Sequence, residues 1–113
     1  LDGKRGEDAA VLFLQKKGFK IIDRNFRIRG GEIDIIGIDG DTLVFIEVKT
    51  RASFHFGTPL EAITPWKLRA LIKTAQFYKV KHPRLPDLMR IDAVSVLMQN
   101  GKITAIELVK NIS

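Results

Sequence analysis

Two apolar runs separated by Asp39-Gly40-Asp41 constrain this chain more than any other feature. Glu32 to Ile38 and Thr42 to Thr50 are rich in Ile, Val and Phe, which favour a pleated strand, and the residues between them supply a tight hairpin turn. The second run is apolar at Leu43, Val44, Phe45, Ile46 and Val48, so neither face is left for water. A central strand covered on both sides is predicted. Into these runs the chain places Asp34, Glu47 and Lys49, although an unpaired carboxylate in such a strand is costly. A two-residue loop at Gly40-Asp41, or a four-residue loop from Asp39 to Thr42, sets Asp34 opposite Glu47. Opposed residues of an antiparallel pair have Cβ atoms about 4.5 to 5.5 Å apart, and like charges at that distance repel unless a cation lies between them. Side chains two apart on a strand share a face, which puts Lys49 beside Glu47 and turns Val48 away, its carbonyl still available at the strand end.

The flanking sequence supplies layers for this hairpin. Glu7 to Lys17 reads as a helix, with Ala10, Val11 and Leu14 on one stripe, Lys16 and Lys17 in the last turn and Gly18 just beyond. Phe19 to Ile28 alternates partly and suggests a first strand carrying Arg24, Arg27 and Arg29. Beyond the hairpin, Arg51 to Gly57 is a loop holding Phe54, His55 and Phe56. Thr58-Pro59-Leu60-Glu61 and Thr64-Pro65 are competing helix starts, read as a short turn followed by a long helix from Pro65 to about Lys81. His82, Pro83 and Pro86 end that helix, and Trp66 near its start is taken as core. Arg90 to Met98 and Lys102 to Val109 form a second hairpin across Asn100-Gly101. The order α-β-β-β-α-β-β predicts an α/β fold, a single domain over residues 1–113 with a mixed sheet of about five strands between two main helices.

Composition narrows the chemistry. With no Cys, disulfides, a thiol nucleophile, thiolate zinc and iron–sulfur clusters are excluded, and a reducing, cytoplasmic setting is expected. Two His discourage a His-based metal site, and no stretch approaches the roughly 18 apolar residues of a membrane helix. The net charge of +6 points to a polyanion partner.

Asp34, Glu47 and the Val48 carbonyl are hard oxygen donors, suited to Mg²⁺ or Mn²⁺ rather than zinc. Glu7 shares the stripe of Ala10, Val11 and Leu14, faces the sheet, and is expected as an auxiliary ligand, directly or through water. Lys49 would orient a nucleophile or offset developing charge on a phosphodiester. Asp34, Glu47, Lys49 and Glu7 are therefore the candidate catalytic set. The competing account of Glu47 and Lys49 is a strand-face ion pair. Glu32 is either a supporting acid on the face of Asp34 or a solvent-facing residue at a strand start, and Asp92 is read as structural, beside Arg90. Arg24, Arg27, Arg29, Arg51 and Lys67 are candidate phosphate contacts, with Lys67, Arg69 and Lys73 otherwise a solvated helix face. Phe54 and Phe56 either stack on bases or, in the favoured reading, pack against the next helix; His55 is read as a surface residue.

Asp34 followed by Glu47-Val48-Lys49 resembles the D…ExK signature of restriction-endonuclease-like nucleases, and with helical Glu7 it is similar to the arrangement in archaeal Holliday-junction resolvases. Gly6-Glu7-x-Ala9-Ala10, Arg24-Asn25, Gly31-Glu32-Ile33-Asp34, Leu43 through Lys49, Arg51, Phe56-Gly57-x-Pro59 and Arg90-x-Asp92 resemble the YraN family of uncharacterised bacterial proteins. The resemblance covers nearly the whole chain. It implies a restriction-endonuclease-like core, a Mg²⁺- or Mn²⁺-dependent endonuclease acting on structured or branched DNA in preference to RNA, and a possible homodimer for junction substrates. The alternative is a non-catalytic nucleic-acid-binding module on the same scaffold.

Overall fold

The structure, a computed structural model, describes residues 2–52 and 63–113. Its elements are α1 (Asp2–Lys16), β1 (Lys20–Ile28), β2 (Gly31–Asp39), β3 (Thr42–Arg51), α2 (Pro65–Lys81), β4 (Leu88–Gln99) and β5 (Lys102–Val109), in the expected order. The five strands form one sheet in sequential order, antiparallel throughout except for β3 and β4. That parallel pair needs a crossover, and α2 lies in it. Asp39 pairs with Thr42 and Ile35 with Ile46, so the central hairpin closes on the two residues Gly40-Asp41. Gly40 takes φ 62°, and Asn100 and Gly101 take φ 51° and 75°, the left-handed conformations that tight hairpins require.

Each helix covers one face. Ala10, Leu14 and Phe19 pack with Ile35, Val44, Ile46, Val94 and Val96 under α1; Leu71, Ala75 and Tyr78 pack with Ile33, Ile36, Leu43, Phe45 and Ile91 under α2. The strict alternation of Leu43 and Phe45 against Val44 and Ile46 makes β3 the double-sided central strand its apolar run predicts. Thr64 caps α2 by accepting a hydrogen bond from Lys67 N–H at 3.1 Å, with Pro65 in the first turn.

Two expectations are corrected. The first helix begins at Asp2, not Glu7. Gly3 and Gly6 obscure its first turns because glycine disfavours helix, but Gly6 is needed there: a Cβ on it would collide with the Thr50 hydroxyl of β3. Trp66 is not core. It is 77% exposed on the outer side of α2, with the Arg69 guanidinium 4.3 Å from its ring centroid. The proposed turn at Thr58–Glu61 and the loop residues Phe54, His55 and Phe56 lie outside the described residues. Among the described residues no helix is long and apolar enough to cross a membrane.

Besides register shifts between Ile21 and Asp23 and between Leu97 and Met98, the sheet has an irregular point at Asn25 and Asp34. Pairing of β1 with β2 passes from Arg24↔Ile35 to Phe26↔Ile33, with Asn25 at φ 54° between. On an undisturbed strand, residues two apart share a face. Here Arg24 reaches α1 while Phe26 meets Phe77 and Tyr78 of α2, and Ile35 lies under α1 while Ile33 lies under α2. Both strands exchange faces at this step, and Asp34 is the residue at which β2 does so.

Candidate active site

The exchange of faces directs Asp34 towards β3. The β2–β3 ladder runs from Asp39↔Thr42 to Ile35↔Ile46, and at the next position the Asp34 carboxylate replaces a backbone acceptor, taking the Val48 N–H at 2.8 Å. Beside it, the carboxyls of Asp34 and Glu47 are in hydrogen-bonding contact. Burial and this neighbour push the Asp34 carboxyl up to about 7, against the opposing pull of the Val48 N–H. Asp34 therefore does meet Glu47, as the hairpin register predicts.

The two sides of β3 then diverge. On the α1 side, Glu7, Asp34, Val48, Thr50 and Arg51 line a cleft of about 430 Å³, together with Gly3, Ala52 and Met98. Gly6 lets α1 settle against Thr50, which brings Glu7 to the cleft wall. Glu7 is held at 3.1 Å by Arg24, whose guanidinium also grips Asp8. On the α2 side, Glu47 is 5% exposed and Lys67 Nζ stands 3.2 Å from its Oε2. That contact lacks hydrogen-bond geometry, so the buried oxygen has a counter-charge but no hydrogen bond. Lys49 is half-buried beside Ser95 of β4, and among the described residues it makes no ion pair with Glu47. The strand-face pair of Glu47 and Lys49 is thus replaced by a pair across to α2.

Several candidate phosphate contacts are engaged within the chain. Arg24 is tied to Glu7 and Asp8, Arg27 pairs with Glu32 at 3.1 Å, and Lys67 faces Glu47. Arg51 lines the cleft, and Arg29 is exposed at the turn between β1 and β2. Glu32, paired with Arg27, does not follow Asp34 by simple alternation because the strand exchanges faces between them. Asp92 is fully buried and serves the fold: it accepts from Arg90 at 2.8 Å and from the Asn111 N–H at 2.9 Å, while Arg90 also reaches Asp39. Lys67, expected as a phosphate contact or part of a solvated face, instead lies at i−4 to buried Leu71 and turns towards the sheet, a spacing that could have revealed it.

Among the described residues no group of three or more acids or histidines is close enough to enclose a metal ion. The donors that do converge are the Asp34 and Glu47 carboxylates, with Val48 just beyond the last paired residues of the β2–β3 ladder. They fit a hard divalent cation in kind: a buried carboxylate oxygen lacks a hydrogen bond, and burial, with Glu47 beside it, pushes the Asp34 carboxyl up to about 7.

Sequence comparison leads to relatives that carry only a family title. A UPF0102 protein of Geobacter metallireducens is 44% identical over 109 residues, covering 96% of this chain and 88% of the relative. One from Caldicellulosiruptor saccharolyticus is 44% identical over 110 residues, covering 96% and 93%, and one from Leifsonia xyli is 51% identical over 96 residues, covering 84% and 80%. The profile of the uncharacterised protein family UPF0102 matches residues 6–96, which takes in Glu7, Asp34, Glu47, Lys49 and Lys67. By these matches the chain belongs to the uncharacterised protein family UPF0102, the YraN family.

Proposed function

We propose that this protein is a Mg²⁺- or Mn²⁺-dependent phosphodiesterase that cleaves nucleic acid, DNA in preference to RNA, with Asp34 and Glu47 as ligands. The observation that carries this reading is the break in the β2–β3 ladder, where the Asp34 carboxylate takes the Val48 N–H, stands beside Glu47 and lines the cleft shared with Glu7. A bound divalent cation would supply Lewis acidity towards a phosphate and acidify water at neutral pH. The chain's own residues do the rest. Asp34 is fixed by the Val48 N–H, which favours its ionised form. Val48 offers its carbonyl, and Glu7, kept in place by Arg24, presents an acid on the cleft wall. Lys49 carries a positive charge on the face of Glu47, where it would offset charge developing on the phosphate. Arg51, in the cleft wall, and Arg29, at an exposed turn, contact the backbone of the substrate. Two such sites are needed to cut a branched DNA on both strands, so activity on junctions entails a homodimer.

The test is a panel of labelled linear, forked and junction DNA and RNA with Mn²⁺, run beside Lys49→Ala. Cleavage by the wild type, lost in the variant, is expected; equal cleavage by both would discredit the site. The ion pairs Lys67–Glu47 and Arg24–Glu7 favour a second reading, a non-catalytic nucleic-acid-binding module whose acids are already neutralised by the chain. In that case no preparation cleaves, and Mn²⁺ produces no calorimetric signal.

A further inference from the structure

The outer face of α2 carries an aromatic and cationic stripe that the site does not use. Trp66 and Val80 are each 77% exposed, Phe77 is 43% exposed, and Arg69 and Lys73 are exposed between them. Residues 66, 69, 73, 77 and 80 follow helical spacing, so they form one continuous strip. Cations lie over both aromatic rings: the Arg69 guanidinium is 4.3 Å from the Trp66 centroid and Lys81 Nζ is 5.6 Å from that of Phe77. The whole helix carries Lys67, Arg69, Lys73, Lys79 and Lys81 and no Asp or Glu. Its first turn is the end that reaches Glu47 through Lys67, so the strip starts beside the candidate site and leads away from it.

We infer that this strip is a stacking surface for unpaired nucleotides, a single strand or the frayed arm of a structured substrate. Charge and shape both select that occupant. Phe77 rests one side on Phe26 and leaves the rest open, Trp66 is open on the outer face, and the interleaving of the two rings with cations calls for a partner that is both planar and anionic. Unpaired bases on a phosphate backbone have both properties, whereas a duplex hides its base faces. A second copy of the chain would bring the same acid-free, cationic helix against itself in a twofold interface, with like charges opposed. Trp66 and Phe77 are eleven positions apart on the helix, about 16 Å at 1.5 Å per residue, a span of a few stacked nucleotides. The inference rests on the reading of the protein as acting on nucleic acid, and it specifies the part of the substrate that lies outside the cleft.

Trp66 is the only tryptophan of the chain, so its emission reports on this strip alone. Oligothymidylate titrated into the metal-free protein in chelator is expected to quench that emission, and heparin of matched charge is not. By anisotropy of a labelled oligothymidylate, Trp66→Ala and Phe77→Ala each weaken binding by about tenfold or more, Trp66→Phe recovers most of the loss, and duplex affinity changes less than about twofold. Equal quenching by heparin, or none by oligothymidylate, overturns the inference. So does emission that depends on protein concentration alone, accompanied by a dimer in sedimentation, which would assign the strip to a second copy. Asp34→Asn is run in parallel to keep the two readings apart. Quenching retained in wild type and variant without Mn²⁺ binding by either supports the stacking surface and overturns the metal site; Mn²⁺ binding without quenching does the reverse.

Discussion

Asp34 Oδ2 accepts the Val48 N–H at 2.8 Å, so a side-chain carboxylate stands where β2 would otherwise offer a backbone carbonyl to β3. The substitution follows from the exchange of faces at Asn25 and Asp34, and it turns the acid into the plane of the sheet. From there it meets Glu47, which projects towards α2, and also borders the cleft shared with Glu7 under α1. One irregular strand position thus joins two faces of the sheet that regular alternation would keep apart.

The first consequence is a pH dependence of folding. Burial, then Glu47, raises the Asp34 carboxyl from its ordinary 3.8 to about 7. Between those values the folded chain holds a proton that the unfolded chain has released, so this group's contribution to stability falls as pH rises from about 4 to 7 and is constant beyond. Asp34→Asn keeps an acceptor for the Val48 N–H and removes the titration. In chelator, the Tm of Asp34→Asn minus that of wild type should grow between pH 4.5 and 8 (about those limits). A constant difference would show that Asp34 titrates normally.

A divalent cation should reverse that trend. Ionised Asp34 and Glu47 are the form that binds metal, so Mn²⁺ affinity should increase through pH 7 (roughly the Asp34 value) with release of about one proton per ion. Calorimetry in buffers of different ionisation enthalpy counts that proton. Asp34→Ala should show no binding, and Mn²⁺ should raise the Tm of wild type alone. Binding of equal strength at about pH 5.5 and about pH 8 would locate the metal elsewhere.

Most of this arrangement was readable from the residues, for identifiable reasons. The Ile- and Val-rich runs and the Gly40 and Asn100-Gly101 turns encode strands, turns and register locally, so turn length brought Asp34 to the level of Glu47, although the regular ladder ends at Ile35 and Ile46. The left-handed conformation of Asn25 was not legible, because one such residue inside a strand leaves no periodic signal, yet it sits at the step where Arg24 and Asp34 change direction. Trp66 escaped because burial of an aromatic side chain depends on whether another layer covers it; α2 has the sheet on one side only. The role of Lys67 is tertiary as well: its partner Glu47 lies on the preceding element, twenty residues off in sequence, and no local pattern pairs the two.

The Lys67–Glu47 contact should be strongly coupled in the metal-free protein. Lys67→Met leaves a buried carboxylate with neither counter-charge nor hydrogen bond, a cost of about 1 to 3 kcal/mol. In the Lys67→Met background, Glu47→Gln should recover much of that loss, because the uncompensated charge is gone. Urea unfolding of the four proteins in chelator measures the coupling. Additive effects would mean that Glu47 is adequately solvated without Lys67. With Mn²⁺ present, Lys67→Met should be tolerated far better, since the metal then supplies the counter-charge.

Gly6 and Gly3 occupy the same helix and should respond to alanine in opposite directions. At Gly3 a Cβ meets nothing within 4 Å, so Gly3→Ala should stabilise α1 by about 0.5 to 1 kcal/mol through helix propensity. At Gly6 the added Cβ overlaps the Thr50 hydroxyl, and relieving the overlap moves α1 away from β3. Overpacking of this kind costs about 1 to 3 kcal/mol. Because Glu7 is the next residue and shares the cleft with Asp34, Gly6→Ala should also weaken Mn²⁺ binding, whereas Gly3→Ala should not. Thr50→Ala creates room for the methyl group, so Gly6→Ala combined with Thr50→Ala should recover both stability and metal affinity relative to Gly6→Ala alone. Recovery of stability without recovery of affinity would show that Thr50 itself serves the site; recovery of neither would place the strain of Gly6→Ala elsewhere in α1.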